Sequence, residues 1–171
     1  DAAAPGKVKL RLDANGAIDP ATLQQRLAEW AAFGVELLEE PLAGDALLNL
    51  PPLSLPWAAD ESLQDPQRAA ALLALPPGRG PAAGVLKPAM LGLVRAMSLA
   101  QAAASRGLGV IVTHSLDGDL GHAAACALAQ ALPSAPWPCG LAAHPGLVRR
   151  RDPGVDLAMP ACPGLGLEGW R

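Results

Sequence analysis

The sequence contains no tyrosine, a single phenylalanine and only 3% aromatic residues, although 51% of its 171 residues are hydrophobic. Its core must therefore be built mainly from alanine and aliphatic side chains. The longest apolar stretches are interrupted by glycine, proline or charge well before the roughly 20 residues that span a bilayer. No apolar segment led by Lys or Arg opens the chain, which argues against a secretory signal. We expect no membrane partner and a cytoplasmic location.

Basic residues and cysteines are also few. The net charge is -3, and the densest basic run, Arg149–Arg151, stands beside a Pro-Gly turn, so we interpret it as a solvated loop. The three cysteines, Cys126, Cys139 and Cys162, do not have the spacing of metal ligands. We therefore expect reduced thiols and no nucleic-acid partner.

The sequence repeats one unit, in which a short apolar run with a polar end is followed by a turn and a helical stretch. Two helices are predicted to begin at Asp19-Pro20 and Asp65-Pro66, where Asp caps and Pro takes the first helical position. Later helices are predicted over about residues 90–106 and 120–132. Such alternation indicates parallel strands joined by right-handed crossovers. The six apolar runs are Val8–Asp13, Gly34–Glu39, Leu55–Asp60, Gly84–Pro88, Leu108–Thr113 and Gly140–His144.

Both a doubly wound sheet and a barrel agree with this alternation. No glycine-rich phosphate-binding motif follows the first strand, which weakens a dinucleotide-binding fold. Asp13, Glu39, Asp60 and Lys87 each stand at the C-terminal end of a different strand, where barrel enzymes carry their sites. We therefore predict an α/β fold, a partial (β/α) TIM-like barrel of about six βα units. It forms one domain over the whole 171-residue chain, with an irregular tail at residues 146–171.

Three of these strand-end residues are carboxylates, separated by 26 and 21 residues, and Lys87 follows 27 residues later. Like charges held together repel each other unless a cation joins them. A ligand set of hard oxygens without His or Cys favours Mg²⁺, with Mn²⁺ as the alternative. Lys87 would lie beside this cluster, as a proton carrier or as the electrostatic partner of a developing anion.

Each residue also has a purely structural interpretation. A lone Asp at a strand end commonly caps a turn. Glu39 and Glu40 can be a solvated pair ahead of Pro41, and Asp60–Ser62 can cap the helix that follows. What favours a site is the order of the four residues on consecutive strands.

Four short segments carry these residues: Leu10–Gly16 (LRLDANG), Leu38–Leu42 (LEEPL), Ala59–Leu63 (ADESL) and Val85–Gly92 (VLKPAMLG). In this order they resemble the motifs of the enolase superfamily, in its muconate-lactonizing branch. The fourth segment has the form typical of the o-succinylbenzoate synthase family. The rest of the chain resembles the superfamily more loosely, at residues 113–117 and 163–166.

The resemblance implies roles for individual residues. The expected metal ligands are Asp13, Glu39 and Asp60. Lys87 is expected to face the substrate from the next strand, and Ser115 with His114 to line the pocket that holds a small-molecule carboxylate. Whether Asp117 has a role or only caps the following helix stays open.

The resemblance also implies a reaction. In this superfamily a divalent metal stabilises the enediolate that forms when a proton leaves the carbon beside a substrate carboxylate. The o-succinylbenzoate synthases use this chemistry in a dehydration on the route to menaquinone, which implies a carbon-oxygen lyase. Dipeptide epimerases and N-acylamino-acid racemases of the superfamily share the metal ligands and remain an alternative.

Some features of the family are not found in this sequence. The family's base comes from a Lys-x-Lys pair well before the first metal ligand, whereas only twelve residues precede Asp13, and Lys7–Lys9 leads directly into its strand. We expect the capping domain and the first barrel strands to be lacking, and the chain to be a cut from a longer protein. Alone it should be inactive. A homo-oligomer, a segment supplied by another chain and a non-catalytic fragment all stay open.

Overall fold

The structure is a computed structural model, and it describes residues 9–142. The predictions for Lys7, the loop at Arg149–Arg151, Cys162 and the tail at residues 146–171 lie outside the described residues. The chain divides into two compact units, the first ending at Gly84 and the second beginning at Val85.

The first unit opens with strand β1 (Leu10–Asp13), helix α1 (Pro20–Ala32) and strand β2 (Val35–Glu39). The predicted start of α1 is confirmed, because the Asp19 carboxylate accepts a hydrogen bond from Ala21 N at 2.9 Å and Pro20 takes the first turn. A side-chain cap of this kind stabilises a helix by about 1 kcal/mol.

The first unit continues with a 3-10 helix (Gly44–Asn49), strand β3 (Trp57–Ala59), a second 3-10 helix (Glu61–Leu63) and helix α2 (Pro66–Ala74). The start of α2 is also as predicted, with the Asp65 carboxylate accepting from Gln67 N and Arg68 N at 2.8 and 2.9 Å. Neither 3-10 helix was predicted from the sequence.

Strand β4 (Ala83–Leu86) carries the chain from the first unit into the second, which contains helices α3 (Pro88–Leu91) and α4 (Leu93–Ala104), strand β5 (Gly109–Val112) and helix α5 (Asp119–Gln130). The single helix predicted over residues 90–106 is wrong, because Gly92 separates α3 from α4. Gly92 has φ 76°, a left-handed conformation that interrupts a right-handed helix and that glycine adopts without steric penalty.

The five strands form one sheet in the order β1-β2-β3-β4-β5. The pairs from β1 to β4 are parallel, and Thr113 N donates to Leu86 O at 3.2 Å beside β5. A doubly wound sheet reverses its order at a switch point, whereas a (β/α) barrel follows the chain. The observed order is that of a barrel. The predicted sixth strand, Gly140–His144, is described up to residue 142, and within that part Gly140 forms a parallel bridge to Thr113.

The core is aliphatic, as the composition requires. Leu27, Leu37, Leu38 and Leu72 are among its largest fully buried side chains, and Trp57 is the one large aromatic residue buried within residues 9–142. Among the helices of the same range, none has the length and hydropathy needed to cross a membrane.

Candidate functional site

Asp13 and Glu39 are brought together at the ends of β1 and β2. They are partners in the parallel register, and Ala14 N donates to Glu39 O at 3.0 Å. Asp13 is exposed, and its Oδ1 accepts a hydrogen bond from Asn15 N at 2.9 Å. Asn15 and Gly16 follow in the left-handed region, with φ 45° and 71°. The chain therefore turns sharply just after placing the first carboxylate at the sheet edge.

Glu40 is not part of a solvated pair. It is only 2% exposed, and its carboxylate is buried against the turn that follows β3. Oε2 accepts from Asp60 N at 2.7 Å, while Oε1 accepts from Ser62 N at 3.1 Å and from the Ser62 hydroxyl. Glu40 also has φ 38°, a conformation that costs a non-glycine residue roughly 1–3 kcal/mol and persists only where the surroundings impose it.

Asp60 follows β3 and is 3% exposed. Asp60 stands at the N-cap position of the 3-10 helix at Glu61–Leu63, but the interpretation that its carboxylate caps the helix is wrong, since that side chain makes no capping hydrogen bond. The turn is held instead by the bonds to Glu40 and by Leu63 N, which donates to Asp60 O at 2.9 Å. A buried carboxylate at a strand end that is not a cap is the type of residue a metal site uses.

The three predicted ligands fit a hard divalent cation in chemistry and in strand position, because all three are carboxylates at the same ends of three neighbouring parallel strands. In their present rotamers they do not converge. Within residues 9–142, no three His, Cys, Asp or Glu side chains are grouped closely enough to hold a metal ion. Of the two Asp13 oxygens, Oδ1 accepts the hydrogen bond from Asn15 N, and a carboxylate has further lone pairs with which to bind a cation.

Lys87 belongs to the second unit and follows β4 directly. It is half-buried, and its carbonyl oxygen accepts hydrogen bonds from Met90 N and Leu91 N, both at 3.0 Å. The backbone of Lys87 thus starts α3, with Pro88 in the first turn. Its position at a strand end is as predicted.

His114 and Ser115 follow β5 in the same unit, and the structure places them differently. His114 Nε2 lies 2.8 Å from Ala142 O. A carbonyl oxygen only accepts, so this nitrogen carries the proton. His114 Nδ1 is buried and has no hydrogen-bond partner among residues 9–142, whereas Ser115 is exposed.

His122 was not singled out from the sequence, yet it is buried beside His114. The two rings meet edge to face, with centroids 5.2 Å apart. His122 Nε2 donates to Leu141 O at 2.9 Å, and Cys126 Sγ lies 3.8 Å from the same nitrogen. The two histidines therefore bind the carbonyl groups of adjacent residues, Leu141 and Ala142.

Asp117 does not cap α5. The N-cap of that helix is Gly118, and no side chain caps the helix start. The Oδ2 atom of Asp117 is buried and has no hydrogen-bond partner in the described part of the chain. The side chain packs against the first turn of the helix, where a Cβ at Gly121 would come within 2.6 Å of Asp117 Cβ. Glycine at 121 is therefore what leaves room for this carboxylate.

The sheet's N-terminal edge carries a small charge cluster. Arg11 Nε donates to Glu36 Oε1 at 2.9 Å, and Lys9 Nζ lies 3.2 Å from Glu36 Oε2. The hydrogen bond from Arg11 holds the pKa of the Glu36 carboxyl below its ordinary value of 4.5, with Lys9 acting in the same direction.

Parallel strands in chain order, with acidic residues at their carboxyl ends, define a (β/α)-barrel fold of the kind that supports catalysis at that edge. The chain belongs to the enolase C-terminal-domain-like family, whose model matches residues 1–169. The fold is thus a partial barrel of the enolase superfamily.

Named relatives agree with this assignment. An o-succinylbenzoate synthase from Thermobifida fusca is 38% identical over 137 residues, covering 78% of this chain and 41% of that protein. One from Desulfotalea psychrophila is 35% identical over 130 residues, covering 70% and 34%. A crystal structure of a dipeptide epimerase from Methylococcus capsulatus, complexed with Mg and a dipeptide, is 30% identical with a TM-score of 0.68, covering 80% and 39%. The chain therefore spans about two fifths or less of the length of these proteins.

Proposed function

We propose that this chain supplies the metal-binding part of the barrel of an o-succinylbenzoate synthase-like lyase. The observation that carries the proposal is the row of carboxylates at the ends of β1, β2 and β3. Asp13 and Glu39 are register partners, and the third, Asp60, follows the strand that pairs with β2. The names of the curated relatives and the VLKPAMLG segment around Lys87 support this activity over others of the superfamily.

The proposed roles follow from the strand ends. Asp13, Glu39 and Asp60 would hold Mg²⁺, with Mn²⁺ as the alternative. When bound, the ion supplies positive charge to the oxygens of a substrate carboxylate and so makes a proton on the adjacent carbon easier to remove. Lys87 would carry a proton or face the developing negative charge.

The polar residues after β5 would bind the substrate carboxylate unequally. Because the Nε2 proton of His114 is directed to Ala142 O, His114 can donate through Nδ1 only as an imidazolium; as the neutral ring it accepts there. The exposed hydroxyl of Ser115 can donate to a carboxylate without any change of protonation. Ser115 is therefore the better of the two proposed substrate donors.

A dipeptide epimerase or N-acylamino-acid racemase is the second candidate, and the similarity to the Methylococcus capsulatus epimerase favours it. Proton removal beside a carboxylate is common to both reactions, so the metal ligands do not separate them. A non-catalytic module that another chain completes is the candidate from a different class.

The test uses a chimaera in which this chain replaces the matched part of the Thermobifida fusca relative, which supplies the remaining length. We expect Mg²⁺-dependent formation of o-succinylbenzoate, measured by absorbance, together with loss of that activity in the Asp60→Asn chimaera. Epimerisation of dipeptides without any synthase activity would favour the second candidate. A folded chimaera that binds no Mg²⁺ would contradict both enzymatic proposals and leave the non-catalytic module.

A further inference from the structure

Glu40 is a buried carboxylate of the first unit, with 2% of its surface exposed. Both of its oxygens accept hydrogen bonds, and all three donors come from one short segment, Asp60–Ser62. Asp60 and Ser62 follow Glu40 in the chain by 20 and 22 residues. Glu40 thus ties the end of β2 to the turn that follows β3.

The backbone around Glu40 is held in place from both sides. Glu40 N donates to Ala58 O at 2.9 Å, and Gly16 N donates to Glu40 O at 2.7 Å. These bonds connect Glu40 to the strand before Asp60 and to the turn after Asp13. The side chain is therefore directed into the Asp60 turn by a fixed backbone rather than by a flexible loop.

We propose that Glu40 is a positioning residue for Asp60. Resting on the proposed function, this inference assigns the buried carboxylate the task of fixing the backbone of Asp60, so that the Asp60 side chain is presented to a divalent cation. This inference leaves Glu40 outside the ligand set, because both of its oxygens are directed to the Asp60 and Ser62 donors. Outer partners of this kind commonly change metal affinity by about 10–100-fold.

The test compares Glu40→Gln with Glu39→Gln in the 171-residue chain. Glutamine keeps the shape of the side chain, but its NH₂ group is a donor and must face at least one of the Asp60 and Ser62 donors. We expect faster amide hydrogen exchange at Asp60 and Ser62 in Glu40→Gln, and Mg²⁺ binding weaker by about 10–100-fold in calorimetric titration.

In Glu39→Gln the exchange at these two amides should stay at the wild-type rate, while Mg²⁺ binding falls because a proposed ligand is lost. The variant Ser62→Ala, which removes one of the three bonds, should lie between wild type and Glu40→Gln in both measurements.

Three results would overturn the positioning role, each in a distinguishable way. Unchanged exchange at Asp60 and Ser62 in Glu40→Gln would show that the carboxylate does not hold the turn. Faster exchange with unchanged Mg²⁺ affinity would reduce Glu40 to a structural residue and leave the proposed function intact. A folded wild-type chain with protected amides and no Mg²⁺ binding would remove the positioning role because the proposed metal site itself had failed.

Discussion

At the end of β2 the buried Glu40 carboxylate accepts three hydrogen bonds. After β5, by contrast, two buried side-chain atoms, His114 Nδ1 and Asp117 Oδ2, have no hydrogen-bond partner among the residues that the structure describes. The first unit holds its polar turn through side chain to backbone bonds. The second unit directs its two histidines to the carbonyl groups of Leu141 and Ala142. An unpartnered buried polar atom is unfavourable by about 1–3 kcal/mol, so it marks a place where a ligand or water gains a hydrogen bond.

The two units therefore differ in how the polar groups after their strands are satisfied by hydrogen bonds. In the first, the residues that would support a metal ligand are already fixed by the protein. In the second, His114, one of the two residues proposed to bind the substrate, keeps a buried nitrogen without a hydrogen-bond partner among the described residues. Substitutions that remove either a paired or an unpaired group test this difference. Their expected effects on the free energy of unfolding differ in size.

The largest effect is expected for Glu40→Ala. It leaves Asp60 N, Ser62 N and the Ser62 hydroxyl buried without their acceptor, which should lower the free energy of unfolding by about 3 kcal/mol. Urea denaturation measures the loss, and Glu29→Ala on α1, an exposed carboxylate of the same unit, serves as the control with a change within about 0.5 kcal/mol. Equal effects of the two substitutions would contradict the claim that the Glu40 bonds hold the turn.

His122→Ala should have the next largest effect. It removes the hydrogen bond to Leu141 O and the ring that packs against His114, and it leaves a cavity in a buried position, together about 2 kcal/mol. Leu120→Ala on the same helix, at a position that is 48% exposed, is the control. If the two variants unfold at the same urea concentration, His122 does not hold the segment at Leu141.

A smaller effect, and one that depends on pH, is expected for Glu36→Gln. Arg11 lowers the folded-state pKa of Glu36 below 4.5, so the stabilisation is fully present above the unfolded-state pKa and is lost as pH falls through the lower folded-state pKa. We expect wild type to exceed the variant by about 0.5 kcal/mol at pH 7. Thermal unfolding should show this difference shrinking below pH 4.5, and a difference that grows on acidification would have the wrong sign.

Asp117→Ala should have the smallest effect. Because Asp117 Oδ2 has no hydrogen-bond partner within residues 9–142, its removal should leave the free energy of unfolding within about 0.5 kcal/mol of wild type or raise it slightly. A loss above about 1 kcal/mol in the same urea experiment would show that Asp117 is bonded in solution and would weaken the contrast with Glu40.

The parts of the fold that were predictable are those encoded by neighbouring residues. Asp19-Pro20 and Asp65-Pro66 contain their own capping group, so the starts of α1 and α2 follow from the sequence. The break at Gly92 does not, because an isolated glycine within a helical pattern is tolerated and does not by itself end the helix. Strand order resolved the choice between a barrel and a doubly wound sheet, and only the pairing of strands could supply it.

In the candidate site, too, local features could be predicted from the sequence and long-range contacts could not. The strand-end positions of Asp13, Glu39 and Asp60 follow from their order and from the family resemblance. The role of Glu40 could not be predicted, since its burial depends on donors 20 and 22 residues later in the chain. His122 was missed for the same reason, because its partner carbonyl lies 19 residues away.

The most direct test of the central claim is calorimetric titration of Mg²⁺ into the 171-residue chain, with Asp60→Asn and Asp117→Asn as a matched pair. Both substitutions replace a carboxylate by an amide of the same shape, one in each unit. The account predicts that wild type and Asp117→Asn bind Mg²⁺ with the same affinity and that Asp60→Asn does not bind it. Equal binding by Asp60→Asn and wild type, with all three chains folded by circular dichroism, would contradict the assignment of the strand-end carboxylates as the metal site.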